Sequence, residues 1–231
     1  MYTQQLTAEQ VRSIQVTFMN KVYAWMCLAL ALTGFIALRT VSSDALMSFI
    51  INTPFVLIGL IIVELGIVFG MVAIINKISS NMAIGLFLLY SALNGLTLSV
   101  ILLAYTQASV ASTFFITAGT FGVMSIYGFF TKSDLSSWGN ILVMGLIGVI
   151  IASVVNFFLQ STGLYWIITY IGVLVFVGLT AYDTQKLKRM SLEVDIESEA
   201  GRKGAIMGAL TLYLDFINLF ILLLRIFGDR R

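Results

Sequence analysis

The sequence predicts an all-α integral membrane protein of seven transmembrane helices, with the seventh central in the bundle. Three observations carry that reading. Of the 231 residues, 59% are hydrophobic and only 10% are charged, where soluble domains carry about 25% charge. Mean hydropathy is +1.01 over the chain, which excludes an ordinary soluble fold. The apolar residues also gather into seven runs long enough to cross a hydrocarbon core of about 30 Å, which takes about 20 helical residues. These runs lack the two-residue alternation of barrel strands, and lipid requires every backbone group to be satisfied internally, so helices are expected.

Residues 1–21 are polar and include Glu9 and Arg12. A cleavable signal needs a basic start followed at once by a short apolar core. This lead is therefore expected to remain as a cytoplasmic segment, with 22–231 forming one transmembrane domain. The first span is expected at 22–38. The second, 54–75, carries Glu64 within Ile61-Ile62-Val63-Glu64-Leu65-Gly66. The third, 82–103, contains Asn94, Thr97 and Ser99. The fourth, 109–130, has the small-residue stripe Gly119, Gly122, Ser125 and Gly128. The fifth, 138–159, has Gly145, Gly148, Ala152 and Asn156. Small residues at this spacing let helix backbones approach closely. The sixth, 164–182, starts with Tyr165 and Trp166, which, like Trp138, suit the membrane interface, and it runs into Asp183. The only long connection is 183–204. The seventh, 205–227, holds Asp215, Asn218 and Arg225.

Lysine and arginine set the expected orientation. With the N-terminus inside, the inner segments hold Arg12, Lys21, Lys77, Lys132, Lys186, Lys188, Arg189, Arg202 and Lys203, nine in all. The outer segments hold three, Arg39, Arg230 and Arg231. The 183–204 connection supplies five of the nine, so the bias toward N-inside and C-outside rests on it.

Composition narrows the chemistry. A net charge of +2 without a basic cluster gives no nucleic-acid surface. The single cysteine, Cys27, excludes a disulfide framework or a cysteine metal set. Histidine is absent, which removes the usual pH switch and leaves carboxylates to carry any proton-linked behaviour. There is no HExxH, nucleophile elbow or phosphate loop. Nor does the Gly-x-Gly-Asp pattern of intramembrane aspartyl proteases stand at either aspartate, since Leu212-Tyr213-Leu214 and Thr180-Ala181-Tyr182 precede them. The chain is read as not an enzyme, with no organic cofactor.

Asp215 is the most informative residue. An acid within a span costs roughly 2.5–3.5 kcal/mol on insertion scales and is kept where it meets water, an ion, a proton or a partner. The sixth helix descends to Asp183 and the seventh returns through Asp215, so the two can approach. Two carboxyls close together in low dielectric cannot easily both ionise and share a proton. Such a pair could act as a proton switch, and its oxygens also suit a hard cation such as calcium. The plainer alternatives are a solvated Asp183 beside Lys186 and a structural hydrogen bond for Asp215. Asn218 shares a helix face with Asp215 and supports a polar stripe, making the seventh helix the candidate central element. Glu64 and Arg225 are the remaining charges in the spans. An ion pair between them would tie the second helix to the seventh, and the alternative is a snorkelling Arg225 with Glu64 on a polar neighbour.

Several segments, in order along nearly the whole chain, give the sequence a family likeness. They are Val22-Tyr23-Ala24-Trp25-Met26, Asn94-Gly95-Leu96-Thr97-Leu98-Ser99, Ala118-Gly119-Thr120-Phe121-Gly122, Thr131-Lys132-Ser133-Asp134-Leu135, Gly178-Leu179-Thr180-Ala181-Tyr182-Asp183-Thr184-Gln185 and Ala209-Leu210-Thr211-Leu212-Tyr213-Leu214-Asp215-Phe216-Ile217-Asn218-Leu219-Phe220. On these the chain resembles the Bax inhibitor family, also called lifeguard or transmembrane Bax inhibitor motif proteins. The resemblance implies a seven-helix fold with a central seventh helix and a pH-sensitive calcium leak. It implies that Asp183 and Asp215 form the proton-sensing pair and that Glu64 and Arg225 pair within the membrane. Some members have an arginine near the inner end of the second helix that locks the aspartates. Here the region reads Ile74-Ile75-Asn76-Lys77, which leaves Lys77 as the candidate lock. Calcium ions and protons, membrane lipid and other membrane proteins are the expected partners, and a bacterial inner membrane is the expected location. A regulatory interaction protein using the 183–204 segment and a proton-coupled transporter are the competing readings.

Overall fold

The computed structural model describes residues 7–53 and 55–231. Residues 1–6 of the polar lead and Pro54, the expected start of the second span, lie outside the described residues. The described residues fold into eight α-helices: α1 Ala8–Val41, α2 Asp44–Asn52, α3 Val56–Ile74, α4 Ser80–Leu103, α5 Gln107–Phe130, α6 Ser136–Leu159, α7 Thr162–Met190 and α8 Glu199–Phe227. All but α2 are long and apolar enough to cross a membrane. The expected sixth and seventh spans are thus α7 and α8.

Helix ends depart from the expected limits for identifiable reasons. The first helix starts at Ala8 rather than in the apolar run, because Thr7 and Gln10 form a reciprocal capping box. The Thr7 hydroxyl accepts from the Gln10 N–H and the Gln10 side chain accepts from the Thr7 N–H. The segment expected as a plain connection after the first span contains α2, which Ser43 caps by accepting the Leu46 N–H. The α7 helix runs eight residues past Tyr182, to Met190, and α8 starts at Glu199. The long connection expected at 183–204 therefore shrinks to 191–198, and Asp183 lies inside a helix rather than at its end.

The chain forms two compact units. The first comprises Met1–Ala104 and Lys188–Tyr213, and the second comprises Tyr105–Leu187 and Leu214–Arg231. In the first unit, α1 packs along α4, and α3 packs on α4. The Thr33 carbonyl and the Ile36 side chain crowd the position of a Cβ on Gly95, which places the α1 and α4 backbones nearly in contact. The 191–198 segment is held to this unit at two points. Lys21 pairs with Glu197 at 2.5 Å. The Glu199 carboxylate accepts from both the N–H and the hydroxyl of Ser80 at the start of α4.

In the second unit, Val175, Phe176 and Leu179 of α7 interlock with Leu219, Leu222 and Leu223 of α8. Phe114 and Phe121 of α5 meet Phe216 edge-on at 5.5 Å each. The α8 helix is the most enclosed of the long helices. Buried residues make up 72% of its most apolar stretch, against 44% for α7 and none for α6. This is what an expected central helix requires, while α6 turns its apolar surface outward as a lipid-facing span does.

Candidate functional site

Asp183 of α7 and Asp215 of α8 come together in the second unit. Their side chains lie within hydrogen-bonding reach of each other. Asp183 is 8% exposed and Asp215 5%, and no donor reaches the buried Oδ2 of Asp215. Two carboxyl groups can share a hydrogen bond only if one carries the proton. The geometry accordingly suits one proton and one negative charge across the pair.

The surroundings of the pair are polar on the α7 side. Thr184 and Ser125 bring their hydroxyls to 3.5 Å. Gln185 clamps the turn between α5 and α6, accepting from the Leu135 N–H at 2.9 Å and donating to the Ser133 carbonyl at 2.8 Å. This turn contains the Thr131–Leu135 motif, so the motif's place is set by a side chain two residues from Asp183. Lys186, one turn on, brings its positive charge to Asp183 while lying 6.0 Å over the Tyr182 ring. Lys77, the candidate lock, sits exposed in the first unit in the turn after α3. Within the second unit, Lys186 is a cation beside Asp183. The Asn218 amide donates to the Leu214 carbonyl of its own helix at 2.8 Å.

Glu64 lies in the first unit and Arg225 in the second, and each has partners within its own. Glu64, 8% exposed, accepts from Thr97 at 2.5 Å and from Asn94 at 3.4 Å. These residues stand three apart on α4 and so present both donors on one face. Arg225 lies with its guanidinium 5.3 Å over the Tyr165 ring, at the end of α8, where an aromatic platform can take the place of a carboxylate.

The Glu64 donors belong to a longer buried chain in the first unit. Tyr213 donates to the Asn94 Oδ1 at 3.1 Å and lies 2.7 Å from the Thr33 hydroxyl, and Thr33 donates to the Ser91 carbonyl at 2.8 Å. Three contacts draw on two hydroxyl hydrogens, so the Tyr213 proton serves either Thr33 or Asn94 at any moment. Asn94 and Thr97 stand out in the sequence as polar groups within a span, whereas Thr33, Ser91 and Tyr213 do not stand out as their partners. Thr33 and Ser91 are ordinary in composition, and nothing in their spacing signals a link across helices. Gln185 is signalled in the sequence only as an amide two residues from Asp183 at the end of an apolar run.

A family model described as "Inhibitor of apoptosis-promoting Bax1" matches residues 15–231. The chain is 56% identical over 223 residues to the inner membrane protein YbhL of Escherichia coli K12, covering 96% of this chain and 95% of that one. It is 46% identical over 216 residues to the uncharacterized protein RP147 of Rickettsia prowazekii, covering 93% and 90% respectively. With an uncharacterized protein of Borreliella burgdorferi it shares 44% over 218 residues, 94% of each chain.

Proposed function

Because the chain belongs to the Bax inhibitor family, we propose that this membrane protein is a pH-sensitive calcium leak gated by a proton shared between Asp183 and Asp215. The observation that carries the reading is the meeting of two buried carboxyl groups from different helices, with one Asp215 oxygen left without a donor. With the proton in place, the pair binds itself and ties α7 to α8. Loss of that proton leaves two negative charges in contact, which must separate or take up a cation. Carboxylate oxygens are the ligands calcium prefers, so the same ionisation that loosens the helices creates attraction for the ion. The likeness to an inner membrane protein of E. coli, together with seven apolar helices, favours an inner-membrane location. The lysine and arginine distribution favours an N-terminus inside and a C-terminus outside.

The test is calcium flux from liposomes containing the purified protein, measured across pH for the native chain and for Asp215→Asn and Asp183→Asn. A pH-dependent, non-saturating flux that becomes flat with pH in either variant supports the reading. Unchanged pH dependence in both variants overturns it. Saturable uptake would instead mark a proton-coupled transporter. The exposed acids Glu193, Asp195 and Glu197 on the 191–198 segment favour a second role as a docking surface for another membrane protein. Neutralising them without effect on phenotype removes that reading.

A further inference from the structure

A second polar site is built at the ends of α6, α7 and α8. A cavity of about 540 Å³ is lined there by Asn156, Gln160, Ser161, Trp166, Arg225 and Arg230, among others. Its described lining residues include two arginines and no acid. It is an open cleft rather than an enclosed packing void.

Each arginine is held in place. Arg225 lies with its guanidinium carbon 5.3 Å from the centre of the Tyr165 ring, within cation–π reach. Arg230 comes from the last four residues of the sequence, which fold back onto the start of the second unit. The Thr106 N–H donates to the Asp229 carbonyl at 2.9 Å, and Tyr105 and Arg230 form a β-bridge. This return depends on Gly228, where a Cβ would strike the Leu224 carbonyl and come within 2.5 Å of the Tyr105 ring. Arg230 then donates to the Tyr165 hydroxyl at 3.3 Å. One tyrosine thus organises both cations, meeting Arg225 with its ring and Arg230 with its hydroxyl.

The neutral part of the lining supplies donors. The Asn156 Oδ1 accepts the Ser161 N–H at 3.0 Å, which orients the side chain and leaves its amide hydrogens to give. Gln160 occupies a left-handed backbone conformation with φ of 50°, a place where glycine is less strained. Trp166 puts an amphipathic ring at the level where spans end.

We infer that this cavity binds an anionic phosphate ester with a hydroxylated head, the two arginines holding the phosphate and the neutral side chains the hydroxyls. Arginine matches phosphate by paired N–H donors, and an interfacial position with a tryptophan suits a lipid headgroup. The same chemistry is presented by a free glycerol phosphate, and the experiment separates the two sources.

Detergent-solubilised protein is offered an equal mixture of phosphatidylglycerol and phosphatidylcholine, or glycerol phosphate alone, and bound species are counted by native mass spectrometry. Native chain, Arg230→Gln and Arg225→Gln are compared. Arg230 is exposed, so its loss spares the fold, and melting temperatures check both variants. Retention of phosphatidylglycerol roughly tenfold over phosphatidylcholine, lost in Arg230→Gln, supports the site with lipid as its source, since each charged hydrogen bond lost weakens binding on that order. Retained glycerol phosphate without lipid preference, again lost in Arg230→Gln, supports the site with a free ester as its source. No preference and no retained ester, or retention that survives both variants, overturns the inference. Calcium flux is not read, so the result stands apart from the leak.

Discussion

Asp183 and Asp215 belong to different helices, yet their carboxyl groups lie within hydrogen-bonding reach in a place almost closed to solvent. Their energies cannot be independent. A proton on one is the hydrogen-bond donor for the other, and an amide on either side replaces that proton permanently. Thermal unfolding of Asp183→Asn, Asp215→Asn and the double variant should therefore show a coupling of about 0.5–3 kcal/mol, as residues of one hydrogen-bonded network do. Additive effects within about 0.5 kcal/mol would mean that the two carboxyls do not act as a unit.

Tyr213 is fully buried in the first unit, and its hydroxyl serves Asn94 and Thr33. Its ring is also wedged edge-on between Phe87 at 5.7 Å and Tyr90 at 5.8 Å. Tyr213→Phe keeps these ring contacts and removes only the hydroxyl. The expected loss is about 1–2 kcal/mol, since interhelical hydrogen bonds in membranes are of that order or less and a stranded acceptor adds to the cost. Unfolding in detergent measures it. A variant as stable as the native chain would show that Asn94 finds another donor.

The second unit's site was legible in part from the sequence, and the reason is cost. Asp215 stands out because an acid in a hydrocarbon run is expensive, and its partner follows from the antiparallel return of the next helix. What the sequence hides is where helices end. Lys186, Lys188 and Arg189 look like a loop in a hydropathy profile, yet α7 carries them to Met190, because straight-chain basic residues are good helix formers near a C-terminus. Hydropathy marks where lipid stops, not where the helix stops. Arg230 was equally hidden: as a terminal charge it counted only toward orientation, and its role depends on a backbone return set by Gly228.

The Lys21–Glu197 contact gives a pH prediction outside the spans. The hydrogen bond from Lys21, and then its charge, hold the Glu197 carboxyl below the usual glutamate range. A carboxyl depressed in the folded state favours docking of its segment above its unfolded value, about 4.3, and that contribution fades as pH falls below it. Hydrogen exchange in 191–198, corrected for intrinsic rates, should be constant from pH 8 to about pH 5 and speed up below. Glu197→Gln should raise the neutral-pH exchange toward the acid level. Both residues are exposed, so the change is local and small. Neutral-pH exchange in Glu197→Gln equal to that of the native chain would show that the Lys21–Glu197 contact does not hold the segment.

Two glycines of one stripe in α5 should behave oppositely. Gly128 faces α7 so closely that a Cβ would overlap the Ala181 carbonyl and stand 2.9 Å from its carbon. This is backbone, which cannot rotate away as a side chain can. Gly128→Ala must push α5 from α7, and through Ala181 it disturbs the turn of helix that carries Asp183. Overpacking of this kind costs about 1–3 kcal/mol, occasionally more. Gly119, nine residues earlier, has nothing within 4 Å of its Cβ position. Gly119→Ala should be neutral or gain up to about 1 kcal/mol from helix propensity. Melting temperatures of the two variants decide the matter: equal destabilisation would mean that both glycines pack, as a stripe read from sequence implies, while a loss confined to Gly128 locates the close approach beside the aspartate pair.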